Sequence, residues 1–270
     1  MGVSQPALAM TEPSKSDQHS ALIQDQFTKQ ARAFAEVAAH SDESAMALLM
    51  DAVEPRSTDH ALDVACGPGI VVCALARRVA SVRGLDVVPA MLTHARQRQA
   101  LLGLRNIAWD LGDSTALPYP DDSFDVVTTR YSLHHLLDPL ATVQQMARVC
   151  RPGGRVAVIE VAPSPDLREA YDAAERIRDP SHVRALTELE LEDLLTAAGL
   201  EIAARARYLL EMELEAVLSA SFTEAGGRER LRALFQADIG VNALGMAARQ
   251  DGEAIRFSFP ILMLVGTKRG

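Results

Sequence analysis

Several residue types are scarce in this 270-residue chain, and each scarcity narrows its possible functions. The three cysteines, Cys66, Cys73 and Cys150, show no metal spacing and no even number for a disulfide framework. They read as buried, inert thiols, which fits a reducing cytoplasm. Aromatic residues amount to 4%, with one tryptophan, leaving few platforms on which nucleic-acid bases could stack. The 27 Lys and Arg are outnumbered by 36 Asp and Glu, for a net charge of −9, and form no cluster. Nucleic-acid binding draws on phosphate neutralisation, so DNA and RNA are disfavoured partners. No apolar run is long enough to span a bilayer, which argues against stable membrane insertion. No Arg-rich or apolar leader pattern opens the sequence, and residues 1–20 read as a flexible tail.

The most informative stretch runs from Ala61 to Ile70, A-L-D-V-A-C-G-P-G-I. A short apolar run ends in Gly67-Pro68-Gly69, and a helical pattern follows to Val79. That is strand, glycine turn, helix, the first unit of an α/β fold. Glycines let backbone approach a ligand closely, and the next helix turns its amides toward an anionic group. Asp63 lies inside the strand, where a carboxylate needs a partner; an ammonium group would supply one. A dinucleotide turn wants a small residue where Val72 stands, which argues against a dehydrogenase. S-adenosylmethionine is the other ligand such a turn serves.

The rest of the chain supplies further units. Ala21–Met50 reads as helical, with Phe27, Ala31, Phe34, Val37 and Ala38 on one face, and Asp51–His60 as a linker. Ser81–Val88 is a strand ending in Asp86, after which Pro89 opens a helix. Asn106–Leu111, Phe124–Arg130 and Arg155–Val161 are further strands, with Arg151–Gly154 a tight turn. Thr187 and Glu190 form a capping box for a helix that Gly199 ends. Leu200–Glu211 and Ile255–Gly266 read as an antiparallel edge, separated by a polar helical stretch broken at Gly226-Gly227.

L-D-V-A-C-G-P-G, G-L-D, G-D-S-T-A-L-P-Y-P-D-D-S-F-D-V-V, S-L-H-H-L and R-P-G-G-R-V occur in that order over residues 61–161. Together they resemble the ubiquinone/menaquinone-biosynthesis-like group of class I S-adenosylmethionine-dependent methyltransferases, with Ala65 in place of the motif's first glycine. R-D-P-S-H-V-R (178–184) also resembles some uncharacterised members. The resemblance implies an α/β, doubly wound, mostly parallel seven-stranded sheet with an antiparallel edge and a helical lid. It implies one domain over residues 21–270: lid helices at 21–50, a cofactor core at 61–161, and substrate-lid insertions at 163–186 and 213–252. S-adenosyl-L-methionine is then the implied cofactor. Asp63, Ala65, Gly67, Gly69, Asp86, Val87, Met91, Asp113, Ser114 and Arg130 are its expected contacts. Asp86 would accept from the ribose hydroxyls, Asp113 from the adenine amino group, and Met91 would pack near the adenine.

Ligands of open α/β sheets bind beyond the carboxyl ends of the strands, which places the acceptor near Arg130–His135. Three histidines are candidate bases. Residues on a helix differ by about 100°, so at most one of His134 and His135 would face the methyl, and His134 is favoured. His135 would then pack. His182 could act from the lid side. Phe27, Tyr131 and Arg178 are candidate acceptor contacts, Arg178 suiting an anionic group. No metal-ligand set is evident, so metal-independent chemistry is expected. The expected activity is methyl transfer to carbon or oxygen of a small, aromatic or quinone-like metabolite. The alternative is a protein of this fold that binds the cofactor without transferring methyl, as a binding module or a director of cyclisation. A homodimer is compatible with the sequence.

Overall fold

The computed structural model describes residues 14–36 and 43–270, with side chains of 34–36 outside that description. The expectations for Phe34, Val37 and Ala38 therefore lie outside the described residues. Helices α1 (Lys15–Glu36) and α2 (Glu43–Val53) come first. Residues 15–20, expected as tail, are the first turns of α1, and the expected linker begins later because α2 runs to Val53.

The core alternates β1 (His60–Val64), α3 (Ile70–Ala76), β2 (Ser81–Asp86), α4 (Pro89–Leu101), β3 (Ile107–Leu111) and β4 (Phe124–Arg130). A 3₁₀ turn (Leu133–His135), α5 (Pro139–Val149) and β5 (Cys150–Val161) complete it. Then follow α6 (Arg168–Arg178), α7 (Glu188–Ala197), β6 (Leu200–Glu213), α8 (Leu214–Ala220), α9 (Gly227–Asp238), β7 (Arg249–Asp251) and β8 (Ala254–Lys268). Sheet order is β3-β2-β1-β4-β5-β8-β6. The first five strands pair in parallel and β8 runs antiparallel to both neighbours. β7 adds an eighth, three-residue strand against β8.

Strands β1 and β4 are buried almost throughout, as expected of parallel strands covered on both faces. The Arg151–Gly154 turn is a bulge within β5: Phe124 pairs with Cys150, but Val126 pairs with Arg155. Gly153 supplies the left-handed φ of 73° there. Thr187 accepts from the Glu190 amide and Glu190 reaches back to the Thr187 amide, so the expected capping box holds α7.

One cross-sheet row matters for the site. Trp109 pairs with Gly84, Gly84 with Asp63, and Asp63 with Thr128. A Cβ on Gly84 would lie 2.6 Å from the Trp109 ring, and one on Gly69 would lie 2.5 Å from it. The single tryptophan thus packs where two glycines leave room, fixed by an Nε1–H bond to Gln99 Oε1 at 2.7 Å. The order reverses around β1, so its end, with those of β2 and β4, opens a crevice.

Candidate active site: two joined cavities

A cavity of about 150 Å³ lies at this crevice. The ends of β1 and β2 bring Asp63, Ala65, Gly67, Asp86 and Val87 to its wall. Met91 comes from α4, Asp113 and Ser114 from the loop after β3, and Arg130 and Tyr131 from the end of β4. Ser20, Ile23 and Phe27 of α1 form its roof. α2 instead packs Leu49 and Val53 into the core and lines neither cavity described here. Of the expected cofactor contacts, only Gly69 is absent from the wall. A side chain there would collide with Trp109.

The turn has the form that a large ligand needs. Ala65 and Gly67 have φ of 54° and 51°, and a Cβ on Gly67 would meet nothing within 4 Å. That opening is a cradle into which a side chain would intrude. Asp86 accepts from the amides of Gly67 at 2.7 Å and Val88 at 2.8 Å, one on each oxygen. Burial nevertheless raises its pKa to about 6, and those amides pull the other way. Asp63 accepts from Thr128 Oγ1 at 2.6 Å. Burial raises its pKa to about 7, against the opposing effects of Thr128 and Arg130. Two buried carboxylates short of compensation suit a ligand that brings an ammonium group and hydroxyl donors. Ser114 shares a 2.9 Å hydroxyl bond with Thr142.

A second cavity of about 90 Å³ adjoins the first. The two share Phe27, Tyr131 and His135. Leu210, Met212, Val217, Phe259 and Ile261 make much of its wall apolar. Arg178 lines it too, but two of its nitrogens bond Glu175 at 2.6–3.0 Å, leaving that pair nearly neutral. Tyr131 has a left-handed φ of 56° and shares a 2.7 Å hydroxyl bond with Tyr208. The Arg130 guanidinium lies 4.4 Å from the Tyr131 ring centre.

The segment after Ser132 is a three-residue 3₁₀ turn, so the α-helical spacing used to separate His134 from His135 does not apply. Both rings line the second cavity, and His135 alone of the two also reaches the first. His135 Nδ1 lies 3.0 Å from Ser181 Oγ, which donates to Asp179 Oδ1 at 2.6 Å. Ser181 has one proton, and Asp179 takes it. His135 Nδ1 must therefore carry the hydrogen of its own contact, which leaves Nε2 as the acceptor. Asp179 also accepts from Gln30 Nε2 at 3.0 Å. Burial opposes its charge, but Arg178 and the bonds from Ser181 and Gln30 hold its pKa well down. Burial, reinforced by His134, pushes the His135 pKa well below the usual value, so the ring is neutral.

His182 is different. Its Nε2 donates to Asp172 at 2.7 Å, its ring is fully buried, and it lines neither cavity. It ties α6 to the following loop. Sequence reasoning passed over Gln30, Glu160, Tyr171, Asp179 and Ser181. An acid inside the apolar run V-I-E-V and the turn-forming D-P-S were the available signals.

A family model described as a methyltransferase domain matches residues 62–158. YcgJ of Bacillus subtilis, described as an uncharacterised methyltransferase, is 31% identical over 63% of this chain and 68% of its own length. The chain belongs to the class I S-adenosylmethionine-dependent methyltransferases. Against the crystal structure of YcgJ, this methyltransferase gives a TM-score of 0.78 at 25% identity, over 85% of this chain and all of the other. The UbiE ubiquinone/menaquinone biosynthesis C-methyltransferase of Dinoroseobacter shibae is 36% identical over 46% of the chain. This methyltransferase spans only about half of that relative's length, 52%. Among the described residues, no helix is long and apolar enough to cross a membrane.

Proposed function

We propose that this methyltransferase methylates a hydroxyl oxygen, or the acidic carbon conjugated to one, in a small and largely apolar acceptor. The observation that carries the reading is the junction of the two cavities at Phe27, Tyr131 and His135. In this reading the first cavity holds S-adenosylmethionine: Asp63 takes the ammonium group, Asp86 the ribose hydroxyls, and Asp113 and Met91 lie along the adenosine. When bound, the cofactor supplies an electrophilic methyl, and the acceptor's new bond to carbon forms as the carbon–sulfur bond breaks, its electron pair staying on sulfur.

The chain's own residues position the acceptor and remove its proton. His135 is the base, taking the proton on Nε2 while Asp179, through Ser181, holds the opposite nitrogen. Alignment of two reactants contributes up to roughly 7–11 kcal/mol in well-oriented cases, and a positioned base about 10²–10⁴-fold. Apolar walls and a neutralised Arg178 favour an uncharged ring over the anionic substrate first expected of Arg178. Helix α1, with segments 163–186 and 213–252, forms the enclosure: Tyr171 of α6 and Val217 of α8 face the acceptor.

The test is incubation with S-adenosylmethionine and a panel of phenols, quinols and β-diketones, following S-adenosylhomocysteine and the methylated product together. S-adenosylhomocysteine formed together with a methylated phenol or enol supports the reading. Tight cofactor binding with no turnover across the panel would favour the rival, a protein that binds the cofactor without transferring methyl.

A further inference from the structure

His134 and His135 are adjacent but held in opposite ways. His134 Nδ1 donates to Glu160 Oε1 at 2.6 Å. Glu160 is fully buried in β5 and accepts two more bonds, from the amides of Leu133 at 2.7 Å and Val161 at 2.8 Å. With both oxygens of this carboxylate accepting, the hydrogen of the His134 contact sits on Nδ1. The ring lines the second cavity, and its Nε2 has no hydrogen-bond partner among the described residues. Around it stand His135 and His182, with ring centres at 4.2 and 5.5 Å, and the Glu175–Arg178 pair of α6. That pair cancels most of its own charge, so Glu160 is the carboxylate that decides the state of the ring. Burial works against a charged imidazole here, but Glu160 outweighs it and raises the pKa. Neighbouring titratable groups with surroundings that push them apart mark an acid and a base.

We propose that the His134–Glu160 pair is an oxyanion clamp: His134 donates through Nε2–H to the acceptor oxygen while that oxygen gives up its proton to His135. The inference rests on the second cavity being the acceptor site. The acceptor's O–H bond breaks, its electron pair stays on oxygen, and the proton moves to His135 Nε2. The hydrogens of His134 stay in place, and its positive charge faces the new negative one. A buried donor aimed at developing charge needs no reorganisation when the charge appears. The clamp narrows the acceptor to a phenol or an enol. An isolated alcohol is far too weak an acid for a neutral imidazole, whereas a phenolic hydroxyl titrates near pH 10 and is within reach once its anion is held.

The test begins with ¹⁵N imidazole spectra of the full chain with S-adenosylhomocysteine added. At pH 7 His134 should carry hydrogen on both nitrogens and His135 on Nδ1 alone. A neutral His134 in the wild type would overturn the proposal without need of any variant. Glu160→Gln should lower the His134 titration by at least one pH unit while leaving His135 on the same nitrogen. With 4-nitrophenol as the probe, the bound form should absorb as phenolate at a pH where the free phenol is protonated. His134→Leu should abolish that band and weaken binding tenfold or more. Binding of the probe in its neutral form rejects the clamp. Failure of the probe to bind the S-adenosylhomocysteine complex at all rejects instead the acceptor reading on which the clamp rests.

Discussion

Ser181 Oγ stands 3.0 Å from His135 Nδ1, with its own proton committed to Asp179. That relationship makes His135 a neutral acceptor poised between two cavities. His135→Ala should lower kcat by about 10²–10⁴-fold, with little change in S-adenosylhomocysteine affinity measured by calorimetry. Only the neutral ring accepts a proton, so log kcat should rise with pH through the His135 titration, level, and fall again where His134, raised by Glu160, loses the proton it donates. Because burial holds the His135 titration low, the acid limb belongs below about 6.5, the ordinary histidine value. An acid limb above pH 7 would point to a different base.

With the cofactor in the first cavity, as proposed, its two buried acids should link cofactor affinity to pH. Both have folded-state pKa values raised, to about 7 for Asp63 and about 6 for Asp86. Between the unfolded and folded values the native state binds more protons, so these groups subtract stability as pH rises through that range. Asp63→Asn should therefore raise the Tm of the free protein at pH 8 and weaken cofactor binding. Cofactor affinity in the wild type should fall as pH drops from 8 to 5, with proton release on binding near pH 6.5, seen as buffer-dependent calorimetric heats. Asp86→Ala loses charge-assisted bonds worth roughly 1.5–3 kcal/mol, about a ten- to hundredfold loss of affinity.

The two glycines of the turn should separate binding from folding. At Gly67 a side chain enters open cavity space, so Gly67→Val should abolish cofactor binding, with only the cost of a branched residue at positive φ. At Gly69 a Cβ collides with Trp109, so Gly69→Ala should cost about 1–3 kcal/mol of stability from overpacking, beyond its own φ penalty. Urea unfolding and S-adenosylhomocysteine titration of both variants check the separation. Equal loss of stability in the two would contradict the difference in their surroundings.

Arg178 should matter more to folding than to substrate charge. Glu175 is buried and receives its ion pair from Arg178, so Arg178→Met leaves a carboxylate uncompensated. The expected loss is about 3–5 kcal/mol, and adding Glu175→Leu should restore most of it. Chemical denaturation of the single and double variants measures both. If Arg178→Met instead leaves stability intact and changes only the preference for anionic acceptors, the charge-recognition role first expected of it is correct.

The sequence by itself determined the α/β core and the crevice at its strand ends. Strand, glycine turn, helix and the acids at strand ends are local patterns, and parallel α/β topology carries such ends to one crevice. Asp63, Gly67 and Asp86 were legible for that reason. The acceptor side was decided by tertiary structure. Gln30 meets Asp179 across 149 residues, Ser181 meets His135 across 46, and Glu160 meets His134 across 26. No local periodicity encodes those pairs. The preference for His134 as base rested on an α-helical spacing, and a 3₁₀ turn put both rings into one cavity. That Trp109 fills the space beside Gly69 was likewise visible only in the packing. Backbone spacing sets where a strand ends, but the charge and direction of a buried side chain are set by whatever the rest of the fold brings against it.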